Sequence, residues 1–224
     1  MERTPLSDIF RGQLRSRVQR MGDTSTDNIQ PFFTLQLDIE KAHSVKNAME
    51  LLVGRDQLEG LTCLKTNREV EAWQTVTIEE LPPVLILHLK WFDYKLDACS
   101  KIVKSVEFTV DLKVDGKLMS HSKAKLPLKQ KQYKLFAGYP VNLEQMVVYH
   151  DGNEATKGHY ITDAYHQGLG GWIRYDDSTV RPVSEAAVLK PKAPRVPYLL
   201  YYRRADTIGR GASAPSFSAS EKPR

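Results

Sequence analysis

The chain has 224 residues, of which 41% are hydrophobic and 26% charged, and its formal net charge is +5. These proportions are ordinary for a soluble globular protein, and they exclude a collagen-like chain, a coiled coil and a wholly disordered chain. The apolar runs are far too short to span a bilayer, and the N-terminal residues show no apolar signal core. Two cysteines, Cys63 and Cys99, cannot make a disulfide framework, so we expect a reducing compartment, the cytosol or the nucleus.

The first half of the chain predicts strands and one clear helix. Apolar residues alternate over 31–38, which indicates a strand. Helical spacing over 44–54 begins at a serine and ends at a glycine, which is typical of a capped helix. The Thr- and Val-rich segment 58–81 predicts paired, half-exposed strands. The nearly continuous apolar run 84–92 predicts a strand that is buried on both faces.

The second half predicts further short strands and no regular alternation of strands with helices. A lysine-rich segment over 116–131 indicates a surface loop. The predicted strands lie at 133–137, 147–150, 159–165, 172–175 and 198–203, with a short helix at 184–189. This pattern favours an α+β fold with a mainly antiparallel sheet. We therefore expect one domain over residues 1–204, followed by a disordered tail over 205–224, where the composition shifts to Gly, Ser, Ala and Pro.

Six lysines and no acidic residues lie between Gly116 and Lys134. Such a run is either a solvated surface loop or a patch for nucleic acid or an acidic partner. No aromatic residue interleaves with the lysines before Tyr133, which argues against single-stranded nucleic acid as the ligand.

A candidate site for acid–base chemistry surrounds His159. Gly158 precedes this histidine, and Asp176 and Asp177 follow it seventeen residues later. A hairpin between the two segments would place His159 beside Asp176. A carboxylate on Nδ1 would then fix the imidazole tautomer and leave Nε2 to act as a base. The alternative is a histidine satisfied by backbone groups and an Asp-Asp turn at a strand end.

Neither cysteine lies in a context that is typical of a nucleophile. Cys63 lies in a polar, strand-like segment and Cys99 in a predicted turn, and neither precedes a helix whose N-terminus would stabilise a thiolate. The sequence contains no CxxC pair and no His/Cys cluster with metal-ligand spacing. We therefore expect no metal and no cofactor.

Five segments form a distinctive set of motifs: VVYHDG at 147–152, GHY at 158–160, WIRYDDSTV at 172–180, LPPVLILHLK at 81–90 and YLLYYR at 198–203. Together they resemble the ubiquitin-specific proteases. Their order and spacing agree with that family over roughly Phe10 to Arg204. The first three segments resemble the family's C-terminal histidine box.

The resemblance implies the palm and fingers of a papain-like thiol protease that cleaves the isopeptide bond after the C-terminal glycine of ubiquitin. It implies ubiquitin and ubiquitinated proteins as partners, with no membrane and no nucleic acid. By position in the family motif, His159 is the general base, Asp176 orients its ring and Asp177 supports the site. His150 matches a histidine near the channel for the ubiquitin tail, and Gly158 and Tyr160 are assigned to the same substrate-binding region.

Two departures from the family pattern concern activity and zinc. Nothing in the chain matches the family's N-terminal cysteine box, so the thumb that carries the nucleophile is missing and we expect the chain alone to be inactive. Two alternatives stay open: a catalytically inactive ubiquitin-binding module and a nucleic-acid-binding scaffold. Family members often bind zinc through two CxxC pairs, whereas here Thr66 follows Cys63 at the next ligand position, so we expect no structural zinc.

Two further departures concern strands. The family's strand that matches residues 81–90 usually continues Lys-Arg-Phe, and here Trp91 replaces the arginine. Residues 138–146, with Pro140 among them, interrupt what the resemblance implies is one strand from Tyr133 to His150. Since proline breaks a central strand, we expect this segment to loop out to solvent and pairing to resume at Val147. The alternative is a misregistered sheet.

Overall fold

The computed structural model describes residues 4–95, 98–102, 104–135, 143–154 and 157–207. Over these residues the chain forms short helices and many strands. The helices are α1 (Pro5–Phe10), α2 (Val45–Leu52), α3 (Leu128–Lys131) and α4 (Glu185–Leu189). The strands are β1 (Gly12–Arg20), β2 (Thr26–Phe32), β3 (Thr34–Asp38), β4 (Arg55–Leu58), β5 (Ala72–Glu80), β6 (Val84–Lys90), β7 (Phe92–Lys95), β8 (Ala98–Lys101), β9 (Asp111–Lys113), β10 (Gln132–Leu135), β11 (Leu143–Asp151), β12 (His159–His166), β13 (Gly171–Asp176), β14 (Thr179–Val183) and β15 (Val196–Arg204).

The strands of the described residues form two larger sheets and one hairpin. A four-stranded sheet has the order β2-β1-β5-β4, and β7 pairs with β8. A nine-stranded sheet has the order β14-β13-β12-β11-β15-β10-β9, with β6 paired to β15 and β3 paired to β6. Every pairing is antiparallel except the parallel pairing of β3 with β6. The predicted α+β fold with a mainly antiparallel sheet and few helices is confirmed.

The closing strand β15 lies in the middle of the larger sheet. One of its edges pairs with β6. Its other edge pairs first with β10, up to Leu135 opposite Tyr202, and then with β11, from Met146 opposite Tyr201. Because Tyr201 and Tyr202 are consecutive, β10 and β11 continue each other along one edge of β15. The sequence between Leu135 and Met146 therefore interrupts a single line of pairing, as predicted.

The prediction of a loop over residues 138–146 places the end of the loop too late in the chain. Residues 136–142 lie outside the described residues, but β11 begins at Leu143. There Leu143 pairs with His166, and after a register shift Gln145 pairs with Tyr165 of β12. Pairing with β12 can start earlier than pairing with β15, because the two neighbours bond to opposite edges of β11. The prediction that residues 143–146 loop out is wrong.

The larger sheet buries one face and leaves the other partly open. On the buried face, Leu87, Val147 and Leu200 are fully enclosed, and they belong to one apolar cluster with Met49 of α2 and Val188 of α4. The side chains that alternate with these along the same strands, Ile86, His88, Val148, Leu199 and Tyr201, are only partly buried. The prediction that the 84–92 strand is buried on both faces is therefore wrong, since its second face is open in the described structure.

Three other predicted boundaries change. The strand predicted over 31–38 is two strands, because residues up to Phe32 pair within the smaller sheet and residues from Thr34 pair with β6. The lysine-rich loop contains a 3-10 turn at Gly116–Leu118 and the short helix α3. The domain continues past 204 through a 3-10 turn at Ala205–Thr207, where Asp206 accepts a hydrogen bond from Arg204 (2.7 Å). The rest of the predicted tail, 208–224, lies outside the described residues.

A buried ion pair joins β12 to β13. The Arg174 guanidinium donates to both carboxylate oxygens of Asp163, at 2.7 and 2.6 Å. Asp163 is 0% exposed and Arg174 only 6%. The two residues are register partners in the sheet. Desolvation makes each charge costly to bury, so each depends on the other and on this bidentate geometry.

We predict that Arg174→Met strongly destabilises the fold. The substitution leaves the Asp163 carboxylate buried without its partner, which costs about 3–5 kcal/mol in comparable cases. Lys117→Met is the matched control, since Lys117 pairs with Glu50 at 3.0 Å on the surface with 61% of its side chain exposed. Such surface pairs are worth roughly 0–1 kcal/mol. Urea unfolding measures both, and equal losses for the two variants would contradict the assignment.

Candidate active site

A histidine and a carboxylate meet at one end of the β12–β13 hairpin. His159 begins β12 and Asp176 ends β13, and the two strands pair from Thr162 opposite Tyr175. This register brings the imidazole Nε2 of His159 to 2.5 Å from Oδ1 of Asp176. The hairpin predicted from their spacing is confirmed.

The ring nitrogen that contacts the carboxylate differs from the prediction. Asp176 lies against Nε2, not Nδ1. A carboxylate only accepts hydrogen bonds, so the neutral ring carries its proton on Nε2 and donates it to Asp176. Nδ1 of His159 is then the basic nitrogen.

The electrostatic surroundings of His159 favour its protonated form. The hydrogen bond to Asp176 raises the pKa of His159 above its ordinary value, and the charges of Asp177 and Asp151 add to this effect, while desolvation opposes it. Asp177 lies farther away, with Oδ2 4.0 Å from Nε2, and its side chain is 83% exposed. Its φ of 49° places it in the left-handed region, in the turn between β13 and β14. Asp177 therefore contributes charge and turn geometry, whereas Asp176 makes the contact.

His150 occupies a closed position next to this pair. It is 0% exposed, and its Nε2 has no hydrogen-bond partner among the described residues. Gly158 covers that nitrogen: a Cβ at position 158 would lie 1.7 Å from Nε2 of His150. On the other side of the ring, Nζ of Lys101 lies 3.4 Å from Nδ1. Burial, and next the charge of Lys101, lower the pKa of His150, whereas the pKa of His159 is raised.

Aromatic rings surround His150 and continue onto the open face of the sheet. Phe92 and Tyr160 meet the His150 ring edge-on, with centroids at 5.1 and 5.4 Å. Tyr160 also lies 5.5 Å from the ring of Tyr198, and 52% of Tyr160 is exposed. The structure thus brings the three residues predicted to bind substrate, His150, Gly158 and Tyr160, into contact with one another beside His159.

The cysteines are not part of this cluster as far as the structure describes them. Cys63 is buried in a turn between β4 and β5 of the smaller sheet, where hydrogen bonds from Thr66 and the backbone of Lys65 lower the pKa of its thiol. The side chain of Cys99 lies outside the described residues. Over the part of the chain that the structure describes, no three His, Cys, Asp or Glu side chains come together as a metal site. The absence of zinc stays a prediction.

Sequence reasoning missed two basic residues that border the site. Arg195 donates to Oδ2 of Asp151 from Nε (2.9 Å) and Nη2 (2.6 Å), and Asp151 lies opposite His159 in the β11–β12 register. Lys101 donates to the carbonyl oxygens of Gly152 and Pro194. Lysine and arginine contacts to backbone and to a nearby acid leave no spacing signal in a sequence, so only the structure shows them.

We predict that Asp176→Asn lowers the pKa of His159. An amide cannot balance the imidazolium charge, so the largest contribution to the raised pKa is lost. Because the folded-state pKa is raised, the interaction stabilises the fold below the ordinary histidine pKa and fades as the pH rises through the raised value. Histidine NMR titration of the wild type and the variant measures the shift, with Asp177→Asn as the weaker control. An unchanged His159 titration in Asp176→Asn would show that the pair does not form.

We predict that Gly158→Ala destabilises the protein by about 1–3 kcal/mol, as overpacked sites do. The new methyl group would overlap His150, which cannot retreat because it is enclosed. Gly171→Ala is the control, since the atom nearest to its Cβ lies 4.0 Å away and the change should stay within about 0.5 kcal/mol. Thermal melting distinguishes the two, and a Gly158→Ala variant as stable as Gly171→Ala would mean that His150 is not packed against Gly158.

Comparison with known families identifies the source of this arrangement. The family model described as Ubiquitin carboxyl-terminal hydrolase matches residues 1–202. Ubiquitin carboxyl-terminal hydrolase 10 of Gallus gallus is 47% identical over 209 residues, which cover 92% of this chain and 25% of the relative. Ubiquitin hydrolase B of Dictyostelium discoideum is 36% identical over 205 residues, covering 91% of this chain and 41% of that protein. Residues 4–10, 31–38 and 201–204 are in themselves most similar to ubiquitin-specific protease ten, in agreement with the first of these relatives.

Solved structures agree with the sequence comparisons. A chain of the SAGA DUB module bound to ubiquitin aldehyde superposes with a TM-score of 0.71 at 28% identity, covering 88% of this chain and 42% of that one. A chain of the SAGA DUB module bound to monoubiquitin gives 0.68 at 26% identity, covering 88% and 41%. The present chain thus spans about a quarter to two fifths of the length of the relatives it matches. It belongs to the ubiquitin carboxyl-terminal hydrolase family of cysteine-type deubiquitinases.

Proposed function

We propose that these 224 residues form the part of a deubiquitinase catalytic domain that supplies the general base and binds the ubiquitin tail. The observation that carries this proposal is the contact of His159 with Asp176 in a chain that belongs to this family. On this proposal, the nucleophile is a cysteine on a polypeptide segment outside these 224 residues. Hydrolysis of the isopeptide bond after the C-terminal glycine of ubiquitin is the reaction.

The geometry assigns a role to each nitrogen of His159. Nδ1, which is free of hydrogen bonds within the described structure, takes the proton of the cysteine thiol, and the thiolate attacks the carbonyl carbon of the terminal glycine. Nε2–H stays on Asp176, whose carboxylate stabilises the imidazolium that forms. The same Nδ1–H then protonates the departing lysine amine, and water later hydrolyses the thioester. Asp177 adds negative charge at the mouth of the site.

The open face of the larger sheet is suited to packing against another structural layer. Its partly buried side chains are mostly apolar or aromatic and extend from the strands of the core to the rings around His150. They are Ile86, His88, Met146, Val148, Tyr198, Leu199 and Tyr201. A sheet face of this kind is normally covered by another layer. We propose that the thumb, which carries the nucleophile in this family, packs on this face.

The contacts of the lysine-rich segment do not favour a nucleic-acid scaffold. Lys117 pairs with Glu50, Lys131 donates to the Ala124 carbonyl at 2.9 Å, and Lys134 lies 3.9 Å from Asp111. Half of the six lysines therefore have partners within the fold. The inactive ubiquitin-binding module remains as the second candidate, because the tail-binding residues do not require a nucleophile.

The cellular location is also a proposal. In the described residues, the structure contains no helix that is both long and apolar enough to cross a membrane. With a single pair of cysteines in 224 residues, of which Cys63 is a free thiol, we propose the cytosol or the nucleus.

We predict that the chain binds ubiquitin through its C-terminal tail and releases no aminomethylcoumarin from ubiquitin-aminomethylcoumarin. Titration of the isotope-labelled chain should shift the amide signals of Gly152, Gly158 and Tyr160, because these residues line the end of the site. Ubiquitin that lacks its last two glycines is the matched control and should leave these signals in place.

Equal shifts with both forms of ubiquitin would contradict tail binding. Turnover abolished by Cys63→Ala or by Cys99→Ala would contradict the assignment of the nucleophile to another segment. Binding without turnover, even in a longer polypeptide with a cysteine box, would favour the inactive module. Salt-dependent binding of an oligonucleotide in place of ubiquitin would favour the scaffold.

A further inference from the structure

Lys101 stands at the point where three parts of the chain meet beside the candidate site. It ends β8, and its register partner is Phe92 at the start of β7. The next residue, Ile102, donates its backbone N–H to the Trp91 carbonyl at 2.7 Å. The backbone at position 101 is therefore held on both sides to the strand that leads out of the larger sheet.

The Lys101 ammonium contacts three acceptors from different segments. It donates to the carbonyl oxygen of Gly152 at 2.5 Å and to that of Pro194 at 2.6 Å, and it lies 3.4 Å from Nδ1 of His150. An ammonium group has three N–H donors, so one side chain can serve all three acceptors. The closest acid that affects it, Asp151, is already bonded to Arg195. None of the three acceptors that the Lys101 ammonium contacts is a carboxylate.

These contacts fasten the connection that leads into His159. Gly152 follows β11 directly, with a φ of 141° that favours glycine, and the connection returns at Gly158, which lies on His150. Lys101 ties the first part of this connection to Pro194 at the entry of β15. The Asp151–Arg195 pair ties the same two segments one residue away. His159 is the first residue after the connection. Its position therefore depends on where the Lys101 contacts and the Asp151–Arg195 pair hold the backbone.

We propose that Lys101 is a positioning residue, which holds the β11–β12 connection against the start of β15 so that the His159 ring stays within reach of Asp176. This inference rests on the proposed function for its effect on catalysis, although the positioning itself can be observed without turnover. Lys101 touches neither His159 nor Asp176 and acts through Gly152 and His150.

If Lys101 served only to stabilise the fold, its removal would mainly lower the melting temperature. The Pro194 carbonyl contact lies at the surface and the Gly152 contact is only partly buried, so water can replace the ammonium at both oxygens when Lys101 is removed. Burial also lowers the pKa of Lys101, and the charge of Asp151 opposes this effect. We therefore expect loss of Lys101 to shift the melting temperature by less than about 4 °C, the size of a small stability change in a domain of this length.

The test compares Lys101→Met, Lys101→Arg and Lys104→Met. Lys104 is the matched control: three residues further on, its ammonium also binds two carbonyl oxygens, those of Ile39 (3.0 Å) and Glu40 (3.1 Å), but it does not touch the connection. In the chain itself, histidine NMR titration should show that Lys101→Met lowers the pKa of His159 towards its ordinary value. Lys104→Met should leave the titration as in the wild type, and Lys101→Arg should restore part of the shift.

In the active polypeptide that contains this chain and the nucleophile, kcat of Lys101→Met should fall by roughly 10- to 100-fold with KM changed by less than about threefold, since small displacements of a catalytic group have effects of this size. A wild-type His159 titration in Lys101→Met would overturn the proposal, as would equal effects of Lys101→Met and Lys104→Met on that titration. If the wild-type polypeptide does not hydrolyse ubiquitin conjugates, the proposed function fails, while the titration still decides whether Lys101 positions His159.

Discussion

The hydrogen bonds along both edges of β15 hold the larger sheet together and set the position of everything at the site. β6 occupies one edge, and β10 and β11 share the other. β12 and β13 then follow from β11, each in register with the strand before it. Because a slip of one residue would turn alternate side chains to the opposite face, the contact between His159 and Asp176 depends on a register that begins in the core.

The charged side chains at this end of the sheet differ in how much of their surface is exposed to solvent. Arg174 and Asp163 are buried and form a bidentate pair, so they help to fix the β12–β13 register. Farther out along the same hairpin, His159 is 44% exposed and Asp176 32% exposed. A proton can therefore reach the imidazole from solvent or from a nucleophile. Nearby, burial lowers the pKa of the enclosed His150, whereas the hydrogen bond to Asp176 raises the pKa of His159, so two histidines in neighbouring strands are shifted in opposite directions.

Much of this arrangement could be predicted from the sequence, and the parts that could not have physical reasons. The helix capped by Ser44 and the short helix after Ser184 follow local rules, and the structure contains both. The β1–β2 hairpin is not predicted because β2 is almost wholly exposed, and both strands carry ion pairs such as Arg17 with Asp27 and show no apolar alternation. The pairing of His159 with Asp176 could be predicted from hairpin spacing. Which ring nitrogen faces the acid, and the lysine that ties the connection, depend on side-chain packing between residues distant in sequence.

The proposed mechanism requires Asp176 to hold the proton of His159 on Nε2 and to leave Nδ1 as the base. Long-range ¹H–¹⁵N NMR correlation of the histidine rings, recorded above the His159 pKa, distinguishes a protonated from an unprotonated ring nitrogen. We expect a protonated Nε2 and an unprotonated Nδ1 at His159, and a loss of this preference in Asp176→Asn. A proton on Nδ1 of the wild-type ring would rule the mechanism out, since that nitrogen could not then accept a proton from a thiol.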